Sequence, residues 1–388
     1  MCHVVYAFYE SDTRVRMYTE ALADRGDHVD VVALSKEGQS PYEVIKGVHV
    51  HRIQHRVVNE SSKGTYLYRL LKFFVKSTAF LARKTHNGSG PYDLIHVHSV
   101  PDFEVFAALI PKLFGAKVIL DIHDIVPEFY AGKFNVGRES AVFKALALAE
   151  KASAKFSDHV IIANHLWETT LTSRSVCKRK CTTFLNYPAP IFFEAKRKTG
   201  NDGRFIMLYP GTLNRHQGVD LAVRAFARIK EEVPEAELHI YGDGPEKENL
   251  RELITRLRLD ERVRLGDFMP VEQIVPIMAD ADLGIVPKRA DSFGNEAFST
   301  KIFEFMALGV PVVASNTKID RHYFDDSMVK FFESGDERSL AAAMLALIRD
   351  QQLRASQAKN ATAFIQANSW AHKKDEYLRL ADKLTIRD

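Results

Sequence analysis

The sequence predicts an α/β protein made of two doubly wound halves, each with a mainly parallel sheet. Short apolar runs alternate with longer segments of helical period, which is the pattern of βαβ units. The alternation stops in a polar, glycine-containing stretch at 195–204 and restarts at Phe205. The length of 388 residues agrees, because a chain of this size commonly folds as two domains.

The strand candidates are the apolar runs, seven in the first half and six in the second. They are 3–7, 29–34, 48–53, 94–97, 117–122, 159–163 and 182–185, followed by 205–209, 237–241, 263–265, 283–287, 312–314 and 329–331. We therefore expect a first domain over 1–194 and a second over 205–367. The last stretch, 368–388, reads as a helix with no strand after it, and its apolar side chains need a surface to pack on.

Composition narrows the possible functions. Hydrophobic residues make up 46% and charged residues 27% of the chain, which is typical of folded globular domains. A formal net charge of +3 does not indicate a nucleic-acid partner. The three cysteines are too few for a disulfide framework, and no Cys/His cluster has the spacing of a zinc site. No apolar stretch reaches the ~20 residues of a membrane span, so we expect a cytoplasmic protein, at most peripheral to the cytoplasmic membrane.

One predicted helix, at 66–84, combines aromatic and leucine side chains with five Lys and Arg residues. Such a basic amphipathic helix can lie in an anionic membrane interface or at the mouth of an acceptor site. The same composition also fits an ordinary crossover helix whose cations are solvated. The sequence leaves both interpretations open.

The clearest chemical signal is a pair of carboxylates, Glu296 and Glu304, eight positions apart. On one helix that separation corresponds to about 80° of rotation and roughly 12 Å of rise, so the two would not share a face. A loop position for Glu296 is therefore expected. Ser299 or Thr300 can cap a helix that contains Glu304, and Gly309 can end it.

A helix that starts at this point offers free backbone N–H groups around residues 298–301, which suit a diphosphate. The residues concerned are Phe298, Ser299, Thr300 and Lys301. Glu304, one turn inside, can accept hydrogen bonds from a ribose diol, and Glu296 can accept them from sugar hydroxyls. An isolated pair of glutamates would more commonly face solvent.

With its flanking residues, the segment 293–315 resembles the E-x7-E signature of the retaining glycosyltransferases of family 4. Three further segments of the second half resemble the same family. The first is the glycine loop of 205–220 with Gly211, and the second is the strand end of 240–245 with Gly242. The third is 263–268 with Asp267 and Phe268, and it corresponds to the segment with which the family holds the nucleotide base. In the first half, 12–34, 96–99 and 121–128 resemble a polysaccharide-building branch. Ser369 and Trp370 match the start of the family's crossing tail.

This resemblance implies a GT-B fold, in which two Rossmann-like domains face a central cleft and the C-terminal helix crosses back to the first domain. It implies transfer of a hexose-type sugar from a UDP-sugar or GDP-sugar to a lipid-linked or saccharide acceptor. It also implies a retaining, metal-independent front-side displacement without any further cofactor. The partners expected are the nucleotide sugar, the acceptor and a possible membrane surface, with no nucleic acid.

One departure from the family concerns charge. The family has Arg after the first glycine of its loop and Lys before the second, where this chain has Thr212 and Gln217. Arg215 in the same loop and Lys301 at the helix start are the leading candidates to supply the missing phosphate charge. Weaker candidates are Lys288 and Arg289, after the preceding strand.

In the first half, His123 follows an apolar strand, and doubly wound sheets bind ligands at the carboxyl ends of their strands. The family's matching histidine points toward the transferred sugar. Asp124 and Glu128 are weaker candidates. His96 and His98 alternate along a predicted strand, so we expect one to face the ligand and the other to face the core.

Residues 280–282 have the pattern of a metal-binding DxD motif, but they come directly before a predicted strand. We therefore assign them to the turn that precedes this strand. Two alternatives to the transferase remain. One is a nucleotide-sugar epimerase with the same fold. The other is a non-catalytic partner subunit of a polysaccharide assembly complex, which Thr212 and Gln217 would favour.

Overall fold

The structure is a computed structural model that describes residues 1–56, 63–86, 91–134, 136–196, 203–291 and 293–386. The chain divides into two compact units. The first comprises Met1–Asn186 together with Trp370–Asp388, and the second comprises Tyr187–Ser369. The polar stretch at 195–204 therefore lies inside the second unit, and its residues 197–202 are outside the described residues.

The first unit is built on an eight-stranded sheet. Its strands are β1 (Cys2–Phe8), β2 (Asp30–Ser35), β3 (Tyr42–Ile45), β4 (Val48–His55), β5 (Leu94–Ser99), β6 (Lys117–Ile122), β7 (His159–Ile162) and β8 (Cys181–Thr183). They lie in the order β3-β4-β2-β1-β5-β6-β7-β8, parallel except for the β3–β4 pair. Its helices are α1 (Thr13–Asp24), α2 (Lys63–His86), α3 (Leu109–Leu113), α4 (Val126–Phe134), α5 (Ala141–Phe156) and α6 (His165–Arg174).

The second unit begins with a short helix and continues on a six-stranded, fully parallel sheet in the order β11-β10-β9-β12-β13-β14. The strands are β9 (Phe205–Pro210), β10 (Ala236–Tyr241), β11 (Val263–Gly266), β12 (Leu283–Val286), β13 (Val312–Ser315) and β14 (Lys330–Phe332). The helices are α7 (Pro190–Glu194), α8 (Val219–Ile229), α9 (Lys247–Arg256), α10 (Val271–Ala279), α11 (Thr300–Ala307), α12 (Lys318–Tyr323), α13 (Glu337–Arg349) and α14 (Gln351–Ala367). A last helix, α15 (Trp370–Thr385), belongs to the first unit.

The α/β class and the doubly wound halves are thus confirmed, and every predicted strand is present. Only β3 was missed. Its side chains are exposed or half-buried, so it carries no apolar run, and it pairs antiparallel with β4 at the edge of the sheet. An edge hairpin strand that is solvated on both faces has no hydrophobic periodicity to reveal it.

The helix predicted at 66–84 is the crossover α2 between β4 and β5. One side buries Leu70, Phe73 and Leu81, while Leu67, Tyr68, Leu71 and Val75 are exposed. We call these four side chains the α2 apolar stripe. Among the described residues, no helix is long and apolar enough to cross a membrane.

Helix α2 also packs against a 3₁₀ segment, Asp102–Ala108, that follows β5. This segment carries Glu104, of which only 1% is exposed. Neither carboxyl oxygen of Glu104 has a hydrogen-bond partner among the described residues. Burial raises the pKa of Glu104 to about 8, so its protonated form is favoured near neutral pH.

Candidate functional site

In the second unit the two glutamates lie on different elements, as their spacing predicted. Glu296 is in a turn whose backbone N–H donates to the Phe293 carbonyl at 3.0 Å. Helix α11 begins four residues later at Thr300 and contains Glu304. No side chain among the described residues caps this start: the Ser299 oxygen accepts from no helix N–H, and its hydroxyl donates to Asp320 at 3.0 Å. The predicted cap by Ser299 or Thr300 is therefore wrong, since Thr300 is already the first helical residue, and the uncapped N-terminus remains open to an anionic group.

Backbone segments at the carboxyl ends of the strands approach one another closely, and glycines make this possible. A Cβ on Gly242 after β10 would stand 1.8 Å from the Gly211 carbonyl oxygen after β9. A Cβ on Gly218 would stand 2.0 Å from the Pro287 carbonyl oxygen, and Gly218 itself has a φ of +67°. Parallel doubly wound sheets bind their ligands along this edge.

Lys301 lies over the glycine loop. Its Cε and Nζ are 2.5 and 3.1 Å from the place where a Cβ on Gly211 would stand, so any side chain there would displace the amine. Nζ is 5.4 Å from the centre of the Tyr209 ring and 3.5 Å from Gln217 Oε1. Burial lowers the pKa of Lys301, whereas the nearby Glu304 carboxylate opposes that shift.

Glu304 is half-buried one turn after Lys301 on the same helix. Burial raises the pKa of Glu304, while Lys301 and the Thr300 hydroxyl act in the opposite direction. Glu296 is also half-buried, with Lys318 Nζ at 3.9 Å from its Oε1. The site thus offers a cation and a carboxylate one helical turn apart, beside the exposed backbone of a glycine loop.

The four cations proposed from the sequence separate into two groups. Lys288 is 4% exposed and pairs with Asp320 at 3.1 Å, and Arg289 makes two hydrogen bonds to Asp220 at 2.9 and 2.8 Å. Both are therefore occupied in holding the unit together. Arg215 is exposed, and its side chain has no ionic partner among the described residues. Together with Lys301 it is a cation that this edge of the sheet can offer to a ligand.

The remaining predicted donor-site residues differ in their surroundings. Thr212 is exposed, and its carbonyl accepts a hydrogen bond from the Tyr209 hydroxyl at 2.7 Å. The Phe298 ring is half-buried and packs on Phe303 with 4.7 Å between ring centres. After β11, the Asp267 side chain is 92% exposed and paired with Lys247, and the neighbouring Phe268 ring is 69% exposed.

The DxD-like segment has a structural role. Asp282 Oδ2 accepts a hydrogen bond from the Ile206 backbone N–H at 2.8 Å, and the Asp282 N–H donates to the Ile206 carbonyl at 2.9 Å. These bonds tie the start of β12 to β9.

In the first unit, His123 follows β6 and is 20% exposed. Its Nε2 lies 3.1 Å from Asp121 Oδ2. Asp121 is fully buried and also accepts from Arg14 Nε at 2.9 Å and Nη2 at 2.8 Å. His98 Nδ1 lies 3.2 Å from the same Oδ2 atom. We call Arg14, His98, Asp121 and His123 the Asp121 cluster.

The opposite orientations assigned to His96 and His98 are wrong. The two rings stack with centres 4.2 Å apart and both are buried, because residues two apart on a strand face the same side of the sheet. His96 Nδ1 lies 3.0 Å from the hydroxyl of Tyr377 on α15, and burial lowers the pKa of His96 to about 3.

The two weaker candidates near His123 also differ. Glu128 is bound by Arg174 through hydrogen bonds of 2.6 and 2.8 Å, which gives it a structural partner. Asp124 is half-buried, and burial raises its pKa.

The donor atoms of His98, Asp121 and His123 lie within 4.8 Å of one another, close enough to hold a metal ion. However, Arg14 already occupies both carboxylate oxygens of Asp121. A guanidinium in that position repels a cation, so these residues fit a hydrogen-bonded cluster better than a metal centre.

Sequence reasoning missed two residues of the second-unit site. Tyr209, at the end of β9, lies beneath Lys301. Asp320 joins Lys288 and Ser299 and also accepts from the Thr317 hydroxyl at 2.6 Å. The Thr-x-x-Asp spacing at the start of α12 was a signal for the last of these contacts. Nothing in the sequence connects Tyr209 to Lys301.

Both halves of the chain match known protein families. Residues 11–186 match the glycosyl transferase 4-like domain, and residues 192–364 match the glycosyl transferases group 1 family. An exopolysaccharide phosphotransferase of Streptomyces coelicolor is 35% identical over 39% of this chain and 16% of its own length. The alpha-D-kanosaminyltransferase of Streptomyces kanamyceticus is 28% identical over 43% of this chain and 42% of its own. The chain thus spans less than half the length of these relatives.

The fold is also found among solved structures. HepE from Anabaena, in complex with UDP-glucose, superimposes with a TM-score of 0.73 at 18% sequence identity, covering 98% of this chain and 99% of that one. At this identity the likeness establishes the fold alone, which is GT-B.

Proposed function

Since the chain belongs to the GT-B glycosyltransferases of the family 4-like type, we propose that it moves a hexose-type sugar from a nucleotide diphosphate sugar to a lipid-linked or polysaccharide acceptor. The observation that carries the proposal is the placement of Lys301 and Glu304 on the uncapped start of α11, against the Gly211 loop.

In the proposed complex, the diphosphate lies between the Gly211 backbone and the N-terminus of α11. There the helix N–H groups and the Lys301 ammonium neutralise its charge. Arg215 adds a second cation from the glycine loop. In this arrangement Lys301 and Arg215 compensate for Thr212 and Gln217, which favours the transferase over a non-catalytic subunit.

The nucleoside would extend from there along the strand ends. Glu304 accepts hydrogen bonds from the ribose diol, and the backbone at 266–268 holds the base, with the exposed Phe268 ring available for stacking. Glu296, in the turn before α11, accepts from hydroxyls of the sugar. UDP is the first base to test, because the similar HepE structure holds UDP-glucose.

For the chemical step we propose retention by front-side displacement. The acceptor hydroxyl attacks the anomeric carbon on the face that the diphosphate leaves, and the leaving phosphate oxygen takes the hydroxyl proton. Helix α11 and Lys301 stabilise the negative charge that develops on the diphosphate, which is electrostatic catalysis by groups already in place. His123 contacts the transferred sugar from the first unit.

The α2 apolar stripe supports a membrane-bound acceptor. Helix α2 contains no acidic residue, and its exposed Leu67, Tyr68, Leu71 and Val75 lie among lysines and arginines. Basic helices with exposed apolar side chains bind anionic lipid surfaces. We propose that this face rests on the membrane that carries a lipid-linked acceptor.

The test uses the purified chain, a panel of UDP- and GDP-sugars, and a membrane extract as the acceptor source. We expect nucleotide diphosphate release that requires the extract. A sugar isomer formed without any acceptor would instead indicate an epimerase.

The matched variants are Lys301→Met, which keeps the packed stem without the charge, and Lys359→Met at an exposed position of α14. One charged hydrogen bond to phosphate is worth about 1.5–3 kcal/mol, so Lys301→Met should weaken nucleotide diphosphate binding about 10- to 150-fold. Calorimetry should show no change for Lys359→Met. Equal affinities for the two variants would remove Lys301 from the site.

A further inference from the structure

A pocket lies at the amino ends of the last two strands of the first sheet. It is a cavity of about 300 Å³, at the lower end of the size range of small-ligand sites. Its walls come from the residues at the starts of β7 and β8 and from the last turns of α15, so it belongs wholly to the first unit. Doubly wound sheets bind their usual ligands at the opposite, carboxyl edge. We call this separate cavity the β7–β8 pocket.

Three cations line the β7–β8 pocket, namely Arg179, Lys180 and Lys383. Arg179 and Lys383 are exposed, and neither side chain has an ionic partner among the described residues. The neighbouring Lys178, in contrast, is paired with Glu168 at 2.6 Å. Cations that stand close together without a counter-ion favour the binding of an anion.

The end of helix α5 holds Lys180 in position. Its Nζ donates to the Ala154 carbonyl at 2.8 Å and to the Lys155 carbonyl at 3.3 Å. An ammonium group has three N–H bonds, so one of them remains for a ligand. Burial lowers the pKa of Lys180, and a bound anion would offset that shift.

The lining also includes a carboxylate, Asp158, whose charge is already balanced. Its Oδ2 atom accepts from the Val118 backbone N–H at 2.8 Å and from the Lys112 ammonium group. Asp158 is therefore neutralised by a cation that does not line the pocket. The three cations of the β7–β8 pocket remain as a surplus of positive charge.

His159, the first residue of β7, is subject to the same surplus. Its side chain is buried, and its Nε2 lies 2.9 Å from Thr182 Oγ1. Burial lowers the pKa of His159 to about 4, and the ammonium groups of Lys383 and Lys180 act in the same direction. The ring is therefore neutral near pH 7, and its NMR signals should respond to a change of charge in the pocket.

We propose that the β7–β8 pocket binds the phosphate group of a phosphomonoester. Such a group carries a charge of about −1.5 to −2 at pH 7 and three acceptor oxygens, which matches three cations at separate positions. The Arg179 guanidinium can donate two parallel hydrogen bonds to it. Leu380 and Leu384 line the same pocket and would contact the organic part of the ligand. Because Lys383 belongs to α15, the ligand would join the C-terminal helix to the sheet.

The test is a titration of the histidine-labelled protein with inorganic phosphate at about pH 8, where phosphate is mainly a dianion. NMR follows the ring signals of His159, which are identified by their loss in His159→Gln. We expect a saturable shift of these signals, beyond the response to sodium chloride of equal ionic strength, which reports screening alone. A response to phosphate no larger than the response to chloride would overturn the proposal.

The matched variants are Arg179→Met and Lys117→Met. Lys117 is exposed at the start of β6 and lines a neighbouring cavity at the same edge of the sheet. Arg179→Met should weaken phosphate binding about tenfold or more, because a charged hydrogen bond is lost, whereas Lys117→Met should bind within about twofold of the original. Equal affinities for the two variants would remove Arg179 from the site. These results require neither a sugar donor nor turnover, so they are independent of the proposed function.

A free phosphomonoester and a lipid head group carry the same phosphate chemistry, and two further probes distinguish them. Glycerol 3-phosphate replaces inorganic phosphate in the NMR titration, and vesicles that contain phosphatidic acid are used in a sedimentation assay. A saturable His159 shift that Arg179→Met weakens would assign a soluble ligand. Sedimentation that Arg179→Met weakens, and Lys117→Met does not, would assign a lipid head group. If neither response depended on Arg179, the proposal would be wrong.

Discussion

The buried Glu104 makes the stability of the first unit depend on pH. Its carboxyl oxygens have no hydrogen-bond partner among the residues described, and the hydroxyl of nearby Ser77 donates to the Phe73 carbonyl at 2.8 Å. Burial raises the pKa of Glu104 from 4.5 to about 8. The folded state therefore keeps this proton to a higher pH than the unfolded chain does.

The sign and size of the effect follow from proton linkage. Below pH 4.5 both states are protonated, and Glu104 costs no electrostatic free energy. Above that pH the unfolded chain releases the proton, so the free energy of unfolding falls until the folded state also ionises near pH 8. At 1.36 kcal/mol per pKa unit, the loss is about 3 kcal/mol at pH 7 and about 5 kcal/mol above pH 9.

Glu104→Gln keeps the shape of the side chain and removes its titration. We expect the variant to gain stability over the original chain by about 1 kcal/mol at pH 5, about 3 kcal/mol at pH 7 and about 5 kcal/mol above pH 9. Urea unfolding followed by tryptophan fluorescence measures this directly, because both tryptophans, Trp167 and Trp370, lie in the first unit.

Glu37→Gln, at an exposed position of the same unit, is the control and should show no such trend. If the difference between Glu104→Gln and the original chain stayed constant from pH 5 to pH 9, the assignment of a raised pKa to Glu104 would be wrong.

Two further results are expected. Gly218→Ala would place a Cβ 2.0 Å from the Pro287 carbonyl oxygen at a residue of positive φ, so it should lower the free energy of unfolding by about 2 kcal/mol or more. The control is Gly335→Ala, which also has positive φ but lies in open space, and it should lower the free energy of unfolding by about 1 kcal/mol. Equal losses in calorimetric melting would rule out the close backbone approach. Leu71→Ser should weaken binding to anionic lipid vesicles about fivefold in a sedimentation assay. The control is Leu109→Ser, at an equally exposed position of α3, which should not weaken binding. Equal losses for the two variants would argue against a membrane-binding role of the α2 apolar stripe.

The parts of the fold that the sequence predicts are those with a local signal. Apolar runs reveal the buried parallel strands, and the spacing from Glu296 to Glu304 correctly separates a turn from a helix. The sequence favours Lys301 over Lys288 as the phosphate ligand because Lys301 stands at the helix start, and this assignment stays a prediction. The sequence does not show that Lys288 is taken up by Asp320, since that contact joins residues 32 positions apart through packing.

The Asp121 cluster is a stronger example of what spacing cannot reveal. Its members come from α1, β5, β6 and the loop after β6, and they meet only because β5 and β6 are neighbours in the sheet. Strand order is a property of the folded topology and leaves no mark on local periodicity. The same-side orientation of His96 and His98, by contrast, follows from strand geometry and was available from the sequence.

The contact between Tyr377 and His96 has a consequence for how the protein is made. The core of the first unit includes side chains from α15, so this unit lacks part of its interior until the ribosome has passed residue 377. The second unit, Tyr187–Ser369, is synthesised without interruption before then. During translation the second unit can therefore complete its fold before the first unit does, although most of the first unit is synthesised earlier. The first unit is completed only when α15 has been synthesised, almost 200 residues downstream of its other parts.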